Sequence, residues 1–263
     1  MTEREIYIKL IKHKLGWVNP AIHIEFKKIY GHLHSQATDD ELYDFAKKKL
    51  YPLMNENDEV IPRSQWDLDS LVGVTEKQLF HPHYDLIKKH IFKHHKRHHD
   101  TLVIFECSNS KPYKENRILK QYATKYKDLC DFACISNPGI IPLEFSNYYP
   151  YRYDEWDHFK ETQEIEDLYV KINTERFFEY VNHFGYKKVI VFMQHPKPRR
   201  LFDEMADTRG IEVINVIDED FTNQVMDEYL PRFKGSRGLI YSRLIGLKPV
   251  REKFDDIVKK MTS

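Results

Sequence analysis

Cysteine is scarce in this 263-residue chain: there are three, Cys107, Cys130 and Cys134. None sits in a CxxC pair, and an odd number cannot close a fully paired disulfide framework. A reducing cytoplasm is the setting that such thiols imply. Net charge is missing too, since 41 basic groups meet 41 acidic ones. That excludes nucleic-acid binding by bulk charge, while a basic patch on one face stays open. No apolar run approaches the roughly 18 residues of a membrane-spanning helix. The opening MTEREIYIKLIKHK has neither the apolar core nor the small-residue cleavage site of a secretory signal. There is no HExxH zinc motif. KGSRGLIYSR, residues 234–243, is glycine-containing and basic but lacks the GK[ST] ending of a P-loop. The expectation is a cytoplasmic protein off the membrane, with no cofactor and no metal.

Aromatic residues are plentiful: 17 Tyr, 16 Phe and 3 Trp. They can fill a core, and tyrosines also line polar pockets. Residues 1–97 read as a helical region. In TDDELYDFAKKKLYPLM, Thr38 caps a helix, Glu41 stands three residues on, and Pro52 stops it. YDLIKKHIFKHH reads as a helix ending in a basic, histidine-rich turn. At residue 101 the character changes. DTLVIFEC is a buried-strand pattern without alternation, and KENRILKQYATKYKD is the helix after it. FACISNP is a second strand, broken at Pro138 and Gly139. INTERFFEYVNHFG is a helix with a cap at Asn173 or Thr174 and a stop at Gly185. YKKVIVFMQ is a strand, PRRLFDEMADTRG a helix and IEVINVID a strand. Strands alternating with helices predict an α/β core over 98–220, with a mostly parallel sheet and flanking helices. A helical extension over 221–263 completes the chain. Ligands collect beyond the carboxyl ends of strands in such sheets. The loops at Cys107, at Ser136–Glu144 and at Gln194–His195 are expected to converge there.

Cys107 admits three readings. It is a small buried hydrophobe, or a nucleophile activated by Lys111 and the following helix, or part of an anion-binding loop with Lys111 and Arg117 as counter-charges. SNPGIIPLEF, residues 136–145, reads as a rigid irregular loop, in which backbone groups or Glu144 could meet the edge of a flat ring. The tyrosine-dense NYYPYRYDEWD, residues 147–157, suits a base or an amine through stacking and charge pairing, with Asp154 on an ammonium. His195, in MQHPKPRR, is an acid or base near neutral pH. Lys197, Arg199, Arg200, Lys234 and Arg237 are candidate phosphate contacts. In the histidine run over 81–99, His90 and His94 share a helix face. A solvated basic face is the plain reading of that run, and a metal is not expected.

FECSNSKPY and SNPGIIPLEFSNYYPYRYDEW together resemble the core domain of the archaeosine synthase family, relatives of the archaeal tRNA-guanine transglycosylases. Cys107, Ser108, Lys111, Pro112 and Tyr113 match its first motif. Ser136, Pro138, Gly139, Pro142 and Glu144 match its second, and Tyr149, Pro150, Tyr153 and Asp154 its third. The chain departs from the family at Glu106, where the family has proline. The resemblance implies an enzyme that adds an amine, lysine, to the nitrile of 7-cyano-7-deazaguanine in tRNA. It implies Cys107 as the nucleophile, with Asp154 and His195 moving protons. Ser108, Lys111, Tyr113, Ser136, Gly139, Glu144 and Tyr153 would line the pocket. The family's transglycosylase-like and RNA-binding regions are not recognised here, which implies a partner subunit. The core also resembles the uracil-DNA glycosylase-like fold. A non-catalytic nucleic-acid-binding subunit and a base-processing enzyme of that fold are the alternatives.

Overall fold

The computed structural model describes residues 38–49, 75–80, 82–107, 113–137, 139–148, 161–203, 207–237 and 243–262, with residues 5, 8, 205 and 240 singly. The chain forms two compact units that interleave along the sequence.

One unit takes residues 1–95, 107–117 and 143–165. Its α1, Asp39–Lys49, starts on the expected capping box. Glu41 N donates to Thr38 Oγ1 at 3.3 Å, and Thr38 N donates to Glu41 Oε2 at 2.8 Å. Pro52, expected to stop this helix, lies outside the described residues. A second capping pair, Thr75 and Gln78, opens the short α2, Glu76–Leu79. The next helix, α3, spans Pro82–His94 and carries Lys93 and His94 in its last turn, where cations suit the dipole. Two 3-10 turns, Tyr113–Glu115 and Leu143–Tyr148, complete the unit. Ser146 ties them together. Its hydroxyl donates to the Leu143 carbonyl at 2.7 Å and accepts from Lys114 N at 3.3 Å.

The other unit takes residues 96–106, 118–142 and 166–263. Its described residues hold five strands: β1 Thr101–Glu106, β2 Asp131–Ser136, β3 Gly139–Pro142, β4 Lys188–Phe192 and β5 Glu212–Asn215. Their spatial order is β3-β2-β1-β4-β5. The β1–β2, β1–β4 and β4–β5 pairs are parallel, and β2–β3 is antiparallel. Every residue of β1 is buried, which is why its apolar run does not alternate. The helices are α4 Arg117–Lys125, α5 Gln163–Phe184, α6 Pro196–Asp203, α7 Glu219–Tyr229 and α8 Lys248–Thr262. Tyr122 of α4 meets Phe254 of α8 edge-on at 4.9 Å, and Phe254 stacks on Phe192 of β4 at 4.6 Å. Phe177 of α5 meets Phe202 of α6 at 5.1 Å. At the amino end of the sheet, Asp131 accepts from His98 N, His99 N and the Tyr186 hydroxyl at 2.9, 3.2 and 2.8 Å.

The expected fold class is corrected by this architecture. Among the described residues helix makes up 61% and strand 15%, so they are predominantly helical, and their sheet is small, open and mixed. It is not a mostly parallel, uracil-DNA glycosylase-like α/β core. The reversal at Gly139 is one physical reason. Its φ of +110° turns the chain back on β2, so GIIP, read above as an irregular loop, pairs antiparallel with Ser136 opposite Gly139. The length of α5 is another. It begins at Gln163, well before Asn173 and Thr174. Those two residues do not cap a helix. Inside it, Asn173 Nδ2 donates to the Tyr169 carbonyl at 3.1 Å and Thr174 Oγ1 to the Val170 carbonyl at 2.8 Å. Gly185 does end α5: at φ +74° it lets Tyr186 N reach the Val181 carbonyl at 2.9 Å. No helix among the described residues is long and apolar enough to cross a membrane.

Candidate functional site

The chain leaves β1 for β2 on one side and later places β4 on the other side of β1. The strand order therefore reverses between β1 and β4. Beyond the carboxyl ends of such a strand pair is where open sheets of this connectivity hold ligands. Here β1 ends at Glu106, and the chain leaves β4 after Phe192 through Met193 to Gln194 and His195.

Glu106 spans that gap. Its Oε2 accepts from Gln194 N at 3.1 Å and from His195 N at 2.7 Å. The His195 carbonyl accepts from Arg199 N at 3.3 Å, so His195 is the cap of α6 and Pro196 its first residue. A carboxyl thus closes the positive end of a helix. Only 8% of Glu106 is exposed. Burial disfavours the carboxylate and outweighs the two backbone hydrogen bonds and the charge of Arg199, so the group is pushed up to about 7. Among the described residues, nothing donates a hydrogen bond to its second oxygen, Oε1. A carboxyl poised there can hold or pass a proton at neutral pH.

Glu106 escaped the sequence reading, which marked it only as a departure from a motif. A signal was present. An acid closing an otherwise apolar, doubly buried strand is out of place unless it has partners.

The expected site residues divide between the two units. Within the unit that holds the sheet, His195 is exposed and Ser136 is buried at the end of β2. A Cβ on Gly139 would stand 3.1 Å from Arg176 Cβ, and the Arg176 guanidinium donates to the Asn137 carbonyl. Four of the five cations proposed for phosphate have partners inside the same unit. Lys197 lies over the Tyr169 ring at 4.3 Å. Arg199 Nε donates to Asp203 Oδ2 at 3.0 Å, and its Nη1 to the Ile217 carbonyl at 3.1 Å. Arg200 pairs with Asp167 at 2.7 Å and with Glu166 at 3.3 Å. Lys234 is exposed, and Arg237 is exposed beside Asn223 and Asp227. Sequence candidates and Glu106 therefore come together at one point, through His195 and Arg199.

In the other unit, Cys107 is exposed directly after β1 and Tyr113 is buried. In the sheet unit, Cys134 on β2 and Cys130 just before it are buried, and burial pushes the Cys130 thiol up to about 12. Glu144 lies in the 3-10 turn after β3, and His95 Nδ1 meets its Oε1 at 2.7 Å. The His95 side chain is 2% exposed and that of Glu144 is 52% exposed. His90 is buried as well, and both histidines pack edge-on against Phe145 at 5.7 and 6.0 Å. The histidine run is thus partly core rather than a solvated face throughout. His90 and His94 do share a face, with ring centroids 4.8 Å apart. No group of three or more metal-ligating side chains occurs among the described residues. Ser108, Lys111, Tyr153 and Asp154 lie outside the described residues.

A family model described as "Domain of unknown function (DUF5591)" matches residues 86–232. No curated protein matches the chain. A solved structure described as AF0587, a protein of unknown function, is similar to it at 20% identity and a TM-score of 0.37, over 49% of this chain and 42% of the other. The chain thus spans about two-fifths of the length of that protein.

Proposed function

The chain belongs to the DUF5591 family of unknown function, and on that premise we propose that it is a tRNA-modifying transferase of the archaeosine synthase kind. It adds an amine, lysine in the first instance, to the nitrile of 7-cyano-7-deazaguanine in tRNA. The observation that carries the reading is the exposure of Cys107 directly after a wholly buried strand, with the other two thiols buried. Among the three, Cys107 is the exposed one, which supports a role for it toward substrate.

A nitrile carbon is already electrophilic, so no ATP is called for. The Cys107 sulfur adds to that carbon and its proton passes to the nitrile nitrogen, giving a thioimidate. The amine nitrogen then attacks the same carbon. The C–S bond breaks, one amine proton returns to sulfur, and an amidine is released. Covalent catalysis of this kind divides one hard addition into two easier ones. The partners are tRNA, the amine, and a second subunit supplying the transglycosylase-like or RNA-binding parts. A cytoplasmic setting fits a thiol that must stay reduced.

The test is turnover of tRNA carrying 7-cyano-7-deazaguanine with lysine, read by nucleoside mass. Cys107→Ala is expected to fall to background. Undiminished turnover in that variant sinks the thiol mechanism. Tight tRNA binding with no product from the unaltered chain would turn the reading to a binding subunit.

A further inference from the structure

We infer that Glu106, at the carboxyl ends of β1 and β4, is the anchor for the ammonium group of the amine co-substrate. The inference rests on the reading above for the class of ligand, a primary amine, and makes no use of Cys107. Place is the first argument: the carboxyl stands where the strand order reverses, the usual seat of a ligand in such a sheet. Its two oxygens are the second argument. Two backbone N–H groups fix Oε2, so the side chain is held in one orientation. Oε1 has no donor among the described residues and is not one of their buried, unpaired side-chain atoms, so it lies open to a partner. An oriented carboxyl oxygen that is open to a partner suits a ligand with N–H groups. A primary ammonium carries three such donors and no acceptor.

The surrounding charges allow it. The groups acting on Glu106 are the N–H groups of Gln194 and His195, from the end of β4, and Arg199, from α6. Arg199 turns Nε to Asp203 and Nη1 to the Ile217 carbonyl, and among the described residues no hydrogen bond joins it to Oε1. The negative charge of Asp203 offsets part of its repulsion of a second cation. The burial that holds the carboxyl near neutrality also gives the site a signature. Pairing with an ammonium requires the ionised carboxylate, so binding must expel the proton from the fraction that carries one.

The experiment is calorimetric titration of the full chain with lysine at pH 7, in two buffers of different ionisation enthalpy. Release of about half a proton per lysine is expected, since a group titrating near 7 is half protonated there. Release should vanish at pH 9. The lysine analogue with a hydroxyl in place of its terminal ammonium should bind without release, a comparison that needs no variant. Glu106→Gln keeps an acceptor for the Gln194 and His195 N–H groups. It should bind lysine roughly tenfold to a hundredfold more weakly, the value of one charged hydrogen bond, with no release. Lysine binding without proton release, equal binding by Glu106→Gln, or no binding by folded protein overturns the inference. Adduct formation at Cys107 is scored separately, so a failed thiol and a failed amine site are distinguishable.

Discussion

Glu106 is held between opposing effects, and the outcome is measurable as stability. Its carboxyl moves from an ordinary 4.5 to about 7 on folding, because burial outweighs the hydrogen bonds and the arginine that favour its charge. The folded chain therefore binds a proton that the unfolded chain has already lost. The stabilisation from this residue is complete below about pH 4.5 and is lost as pH rises through 7. At about 1.4 kcal/mol per pKa unit, the loss is on the order of 3 kcal/mol. Urea unfolding from pH 4.5 to 8 should show that decline in the unaltered chain and a flatter profile in Glu106→Gln. Parallel profiles would mean that the carboxyl titrates normally. Little of this residue's role could be read from sequence. Its place at a strand end is legible, but its burial depends on the backbone of Gln194 and His195 closing over it from far along the chain. Exposure at Cys107 was open in the same way. Hydrophobe and nucleophile are both allowed by its neighbours, and the structure puts the thiol outside.

Among the elements, local signals were read well where the interaction is local. Thr38 with Glu41 and the stop at Gly185 are contacts within a few residues, and both take the expected form. The Asn173 and Thr174 caps failed because tertiary packing extends α5 past them. Tyr169, Val170 and Ile172 are buried in the turn before, and the two polar side chains bond back into the helix. GIIP failed as a loop because its partner is the preceding strand. Gly139 makes that hairpin possible, at φ +110° and with Arg176 Cβ 3.1 Å from where a Cβ would stand. Gly139→Ala should destabilise by roughly 1–3 kcal/mol, from backbone strain with the contact added. Gly210 has φ +80° with nothing within 4 Å, so Gly210→Ala carries the strain alone and should cost less. Denaturant midpoints of the two variants check the order. An equal or smaller loss at Gly139 would mean that Arg176 does not press on the hairpin.

For the whole molecule, composition set the class of problem but not the architecture. Balanced charge and the lack of a long apolar run are legible at once. The predominance of helix around a small mixed sheet is not, because five short strands with helices between them also read as a larger parallel sheet. The two units interleave, so neither is a simple segment of the sequence. Family membership covers residues 86–232, which takes in β1, β4 and both ends of the proposed chemistry. The central claim is that Cys107 attacks a nitrile. Intact-mass spectrometry tests it most directly, on the purified chain mixed with 7-cyano-7-deazaguanine in tRNA and as the free base, without lysine. The account predicts an added mass equal to that of the nitrile substrate, discharged by lysine and absent in Cys107→Ala. Folded protein that gains no mass with either form of the base, or gains it equally in Cys107→Ala, contradicts the account.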